Sequence, residues 1–134
     1  ISWQAVDGLA NLLVIVQGSS EPFFDHLNQT AGQTSVLLSE VTSDAVLPPI
    51  FSGDLCYTWI FADVEPDKMS EIRNRIASTT GVVMNMGVRG GCDLIALVSG
   101  ATLDEVDRII SRDIQPLDGL LRLKRNRVIN LTSL

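Results

Sequence analysis

The sequence predicts an α/β (α+β) fold, with a βαββαβ unit over residues 54–134 preceded by a βαβ-like segment over residues 1–53. Three observations carry this. Two apolar runs, Val82 to Val88 and Leu94 to Val98, are joined through the adjacent Gly90 and Gly91, which permit the positive φ of a tight turn and so mark a β-hairpin tip. Cys56 to Val64 has large apolar groups on both alternating sets, which suits a strand covered on both faces. One stretch before the hairpin and one after it repeat apolar residues at helical spacing.

In chain order, Leu9 to Val16 is apolar apart from Asn11 and ends in β-branched residues, which predicts a strand buried on both faces. The residues before it, Ser2-Trp3-Gln4-Ala5-Val6, alternate too briefly to assign. Gly18-Ser19-Ser20-Glu21-Pro22 is a helix start, with a serine cap and proline in the first turn; Phe23, Phe24, Leu27 and Ala31 give that helix an apolar face and Gly32 ends it. Ser35 to Val41 reads as a strand, and Pro48-Pro49 to Gly53 as the boundary between the two segments. The first βαβ echoes the later one at an offset of about 46 to 49 residues, Leu12 to Val16 against Thr58 to Ala62 and Gly32 against Gly81. A repeat and two unrelated units with generic patterning both fit.

In the strand Cys56 to Val64, Tyr57, Trp59 and Phe61 lie on one set and Ile60, Ala62 and Val64 on the other. The two helices of a βαββαβ unit cover one face only. Leaving even ~400 Å² of the other in water would forgo about 10 kcal/mol, comparable with a whole domain's stability. A second copy packed sheet against sheet is the simplest cover, which predicts at least a homodimer; the N-terminal segment is the alternative cover.

Pro66 suits a first helical turn, with Met69, Ile72 and Ile76 as the buried stripe and Glu71 and Arg75 paired outside. Thr102-Leu103-Asp104-Glu105 has the form of a capping box, opening a helix that buries Leu103, Val106, Ile109 and Ile110 and ends near Arg108 and Arg112. The last strand, Leu120 to Leu131, carries Arg122, Lys124, Arg125 and Arg127. These four fit an anion or nucleic-acid patch; they equally fit a charged edge strand that discourages edge pairing or meets the acidic first half.

With 46% hydrophobic and 19% charged residues over 134, the chain reads as globular. Its longest early apolar run, Leu12 to Val16, is far short of the ~20 residues of a bilayer crossing, and no basic region precedes it, so neither a membrane span nor a signal peptide is expected. The sequence starts at Ile1 without a Met and is read as part of a longer protein. Two cysteines, Cys56 and Cys92, are too few for a disulfide framework and are taken as reduced, small apolar residues of a cytoplasmic protein. His26 is the only histidine, with no ligands clustered near it; no metal and no cofactor is expected.

Charge is distributed unevenly behind the net of −6. The first 67 residues hold nine acids and no Lys or Arg; all ten cations begin at Lys68, against seven acids. A segment without cations cannot neutralise phosphates, so any DNA contact is expected only through a domain not present in these residues.

Four short motifs carry a family resemblance: Glu65-Pro66 opening the first helix, Thr80-Gly81-Val82 opening the second strand, Gly90-Gly91-Cys92-Asp93 at the turn, and Asp118-Gly119 before the last strand. In order and spacing, over about residues 55 to 131, they resemble the effector-binding (RAM) domain of Lrp/AsnC-type transcription regulators. The resemblance implies a ferredoxin-like unit forming a dimeric α/β barrel, higher oligomers, and a small ligand, often an amino acid, near the hairpin. Members often have Thr or Ser hydroxyls on the last strand near the ligand; here that strand has cations and Asn126.

Catalysis has little to stand on, and the chain is read as a non-enzyme: no nucleophile and base pair is recognisable, and Arg89-Gly90-Gly91-Cys92 lacks the spacing and following helix of a phosphate loop. The candidate ligand-binding residues are Arg89, Gly90, Gly91, Cys92 and Asp93, with the Asp93 carboxylate meeting an ammonium and backbone amides or Arg89 meeting a carboxylate. Turn geometry alone is the other reading. The leading expectation is therefore a non-catalytic small-molecule sensing and oligomerisation domain; a stand-alone dimeric α/β-barrel enzyme and a purely structural assembly domain are the alternatives.

Overall fold

The computed structural model describes residues 2–8, 12–15, 39–42 and 51–129. Within them the sequence folds as strands β1 (Ser2–Gly8), β2 (Leu12–Ile15), β3 (Glu40–Val41) and β4 (Cys56–Val64), helix α1 (Met69–Ala77), hairpin strands β5 (Val82–Arg89) and β6 (Leu94–Gly100), helix α2 (Leu103–Ile109) and strand β7 (Leu120–Val128). They form one seven-stranded sheet in the order β2-β1-β7-β4-β6-β5-β3, every neighbouring pair antiparallel. The inner order β7-β4-β6-β5 with two helices is the ferredoxin-like arrangement of a βαββαβ unit.

Each core element has a local cause. Pro66 fits the leading 3₁₀ turn Pro66–Lys68, and α1 then buries Ile72 and Ile76. The Thr102 side chain caps α2 by accepting the Glu105 N–H at 3.1 Å, while the Glu105 carboxylate accepts the Ala101 N–H at 2.8 Å. The box thus reaches one residue further back than the simplest form. Beyond Ile109 the helix widens into a π turn, Ile110–Ile114, closed by Gln115 N–H to Ile110 C=O at 2.8 Å. Regular α spacing from Val106 would carry the stripe to Asp113. The wider turn instead buries Ile110 and Ile114 and leaves Asp113 at the surface beside Arg112.

The sheet has two apolar faces. Ile60, Ala62 and Val64 of β4 and Leu94, Ala96 and Val98 of β6 pack under Ile72, Ile76, Val106, Ile110 and Ile114 of the helical layer. On the other face Tyr57, Trp59, Met86, Val88, Ile95 and Leu97 form a second cluster with Val6, Leu13, Ile15 and Phe51. Trp59 and Leu97 are fully buried within a single chain. Burial of that face at these residues therefore needs no second copy, and the N-terminal alternative weighed from the sequence supplies part of the cover: the Phe51 ring meets Tyr57 edge-on at 4.7 Å.

The N-terminal expectations change. Of the two-face-buried strand expected over Leu9 to Val16, the described part is β2, whose Leu13, Val14 and Ile15 are half-buried, with β2 at the edge of the described sheet. Its partner is the stretch left unassigned, as β1, in register Ser2 to Ile15 and Ala5 to Leu12. Of the strand expected over Ser35 to Val41, the described part is β3; the helix expected over 18–31 and the Pro48-Pro49 break lie outside the described residues. Both β1 and β3 join the sheet of the later unit across the expected boundary at Gly53.

Strand β7 is not an edge strand. It lies between β4 and β1, although β1 pairs only with its last residues, Val6 to Val128 and Gly8 to Asn126. Its arginines are met by acids: Arg125 by Asp107 at 3.1 Å, Arg127 by Asp107 at 3.3 Å, and Arg122 more loosely by Asp63 at 3.9 Å. The Arg125 guanidinium also donates to the Ser111 hydroxyl and the Gln115 side-chain oxygen.

Candidate functional site

The hairpin tip is built outward from its closing pair. Val88 N–H donates to Asp93 C=O at 2.9 Å, leaving the four-residue loop Arg89 to Cys92, inside which Cys92 N–H donates to Gly90 C=O at 2.8 Å. Gly90 and Gly91 both take positive φ, 96° and 73°. Among the described residues a Cβ on Gly91 would meet only the Ser39 Oγ at 3.5 Å, ordinary contact, whereas the positive φ there favours glycine whatever the space.

The residues of the tip have distinct surroundings. Asp93 is half-buried and stitched to β4: its N–H donates to Ala62 C=O at 3.0 Å, and its Oδ2 accepts Val64 N–H at 2.9 Å. The carboxylate is thereby held in place on one oxygen. Arg89 is exposed, and one guanidinium nitrogen donates to Glu40 Oε2 at 2.6 Å, which raises the pKa of the guanidinium further. Cys92 is half-buried against the second-face cluster, and its burial pushes the thiol up; a hydrogen bond with Ser39 opposes this, and the charges of Asp63 and Asp93 add to it.

Residues 39–42 run along the hairpin. Glu40 pairs with Arg89 and Val41 with Val88 in the ladder, Thr42 N–H donates to Gly87 C=O at 2.9 Å, and the Ser39 hydroxyl donates to Gly90 C=O at 2.5 Å. Sequence reasoning singled out neither Ser39 nor Glu40. The only available signal was the segregation of acids into the first half and cations into the second.

The structure thus brings Arg89, the two glycines, Cys92 and Asp93 to one end of the sheet, with a fixed carboxylate and an exposed guanidinium in the same turn. Chemically, such a turn can hold a small ligand bearing both charges. The open grooves between α1 and the π turn, lined by residues such as Asn74, Arg75, Thr79, Asp113 and Leu117, contain none of these five. Among the described residues, no three of His, Cys, Asp and Glu gather as metal ligands, and no helix is long and apolar enough to cross a membrane.

No protein-family model and no curated protein matches the sequence. Among solved structures, TTHA0845 from Thermus thermophilus matches with a TM-score of 0.53 and 21% identity, over 56% of this chain and 94% of that one. FFRP-DM1 matches with a TM-score of 0.53 and 22% identity, over 55% of this chain and 99% of that one. At such identities the likeness is one of fold, and the chain spans nearly the whole of both neighbours. The fold shared with them is the ferredoxin-like α+β unit of β4 to β7, which this chain extends by additional strands.

Proposed function

We propose that this chain is a non-catalytic sensing and assembly domain of an Lrp/AsnC-like regulator, acting in the cytoplasm and binding a small zwitterion, an amino acid being the simplest, at the Arg89 to Asp93 tip. The ferredoxin-like fold is the one that the four motifs' resemblance to Lrp/AsnC-type effector-binding domains implies, and it supports the class. One observation carries the site. Asp93 is anchored through Oδ2 to Val64 N–H, a preset carboxylate whose other oxygen suits a ligand ammonium, and Arg89 stands in the same turn for the ligand carboxylate. DNA contact belongs, on this reading, to a domain outside these residues. Self-association into a dimer or higher oligomer belongs to the same proposal, with light scattering at micromolar concentration as its test.

A purely structural turn is the competing reading, and one observation favours it: Arg89 and Asp93 both already have partners within the chain, Glu40 and Val64. Calorimetric titration with the common L-amino acids, followed by the Asp93→Asn variant, separates the two. Asparagine keeps an oxygen for Val64 N–H but loses the charge, so affinity should fall about ten- to a hundredfold, the loss of a charge-assisted hydrogen bond of ~1.5 to 3 kcal/mol. No binder at millimolar concentration, or unchanged affinity in folded Asp93→Asn protein, leaves the hairpin a structural turn. Asp93→Ala is the poorer variant, because it also strips Val64 N–H of its acceptor.

A further inference from the structure

We propose that residues 39–42 are a displaceable strap over the hairpin tip, in which the Glu40 carboxylate occupies the place on Arg89 that a ligand carboxylate takes. The inference rests on the reading of the tip as a zwitterion site, and adds to it an internal competitor.

The chemistry of the contact is the first reason. A glutamate carboxylate on a guanidinium is the same pair that an amino acid's α-carboxylate would form, and here it is made through one nitrogen, the Arg89 Nη2, at 2.6 Å. A free carboxylate can meet the guanidinium fork with both oxygens, a stronger geometry than this single bond. Glu40 therefore resembles the ligand closely enough to block it and is held weakly enough to yield.

The second reason is how lightly the described residues hold the strap. Strand β3 is two residues long, and Glu40, Val41 and Thr42 are all exposed. Val41 leaves 43% of its surface in water, so apolar burial contributes little to docking. Among the described residues the remaining attachments are the short ladder of Glu40 and Val41 with Arg89 and Val88, Thr42 N–H to Gly87 C=O, and the Ser39 hydroxyl with Gly90 C=O and the Cys92 thiol, all within a few residues of the ion pair. All of them bear on the hairpin and its tip. The side chains of Glu40 and Arg89 are 67% and 73% exposed, so water and ligand reach the pair directly.

A tethered competitor lowers apparent affinity by the fraction of time it occupies the site. For an exposed ion pair that amounts to about two- to fivefold. The test titrates wild type and Glu40→Gln with each common L-amino acid at millimolar concentration and follows amide exchange at Thr42 with and without a binder. Expected are affinity about two- to fivefold tighter in Glu40→Gln and faster Thr42 exchange in ligand-saturated wild type, as the strap leaves. Equal or weaker affinity in Glu40→Gln, or Thr42 exchange unmoved by saturating ligand, overturns the strap and leaves the ligand site standing. Failure of every amino acid to bind either protein overturns the ligand site, and the strap with it.

Discussion

Replacing Thr58 by valine should stabilise this protein. Thr58 lies in β4, the strand bonded on both sides, opposite Val98 of β6 and Arg127 of β7, and it is fully buried. Its Oγ1 has no hydrogen-bond partner among the described residues. A buried hydroxyl without a partner costs about 1 to 3 kcal/mol relative to an apolar group. Valine has nearly the same shape, keeps the branched Cβ that suits a central strand, and leaves the backbone ladder untouched. The gain expected is therefore about 1 to 3 kcal/mol, or roughly 3 to 12 °C in melting temperature for a chain of this size. Urea unfolding followed by circular dichroism measures it, with a higher midpoint and an unchanged m-value as the expected result. A midpoint equal to or below wild type would refute the reasoning, since it would mean that Oγ1 makes a bond worth more than its desolvation.

The opposite sign is expected at Thr102, whose hydroxyl caps α2 by accepting the Glu105 N–H: Thr102→Val should cost about 0.5 to 2 kcal/mol in the same urea assay. Gly119→Ala should cost more than about 2 kcal/mol, because φ there is +96° and the new Cβ would sit 2.7 Å from Lys68 Cβ and Cγ; an unchanged melting temperature would contradict that geometry. Burial raises the Cys92 thiol, so the folded chain keeps a proton that the unfolded chain releases above about pH 8.5. Stability from this group is present below that pH and lost as pH rises towards the folded value. Melting temperature should accordingly fall more between about pH 8 and 10 in wild type than in Cys92→Ser.

The elements from β4 to β7 were legible because their cues are local. Met69, Ile72 and Ile76 recur within two turns of one helix, Thr102 and Glu105 are three residues apart, and Gly90-Gly91 interrupts two apolar runs. The errors lie where distant residues decide. Five alternating residues near the start could not be assigned alone, yet as β1 they form a strand because β7 and β2 give them ladders. The π turn was hidden because Ile109, Ile110 and Ile114 fit a helical stripe until Asp113 must be placed. At the candidate site, the turn and its five residues were visible, but the bonds that define their chemistry were not. Val64 N–H on Asp93 and Glu40 on Arg89 each join residues far apart in sequence, and nothing in local spacing encodes such pairs.

The pairing of β1 with β7 has a consequence for the order of folding. The β1–β2 hairpin is local and can form within microseconds of its synthesis, whereas docking Val6 against Val128 closes a loop of about 120 residues at an entropic cost of roughly 4 kcal/mol. During translation β1 must wait for β7, with the apolar face it will share with Trp59 and Leu97 still open. The three-residue ladder from Val6 to Gly8 is thus the seam that closes late and frays early, and slow hydrogen exchange should reach it last as the chain matures.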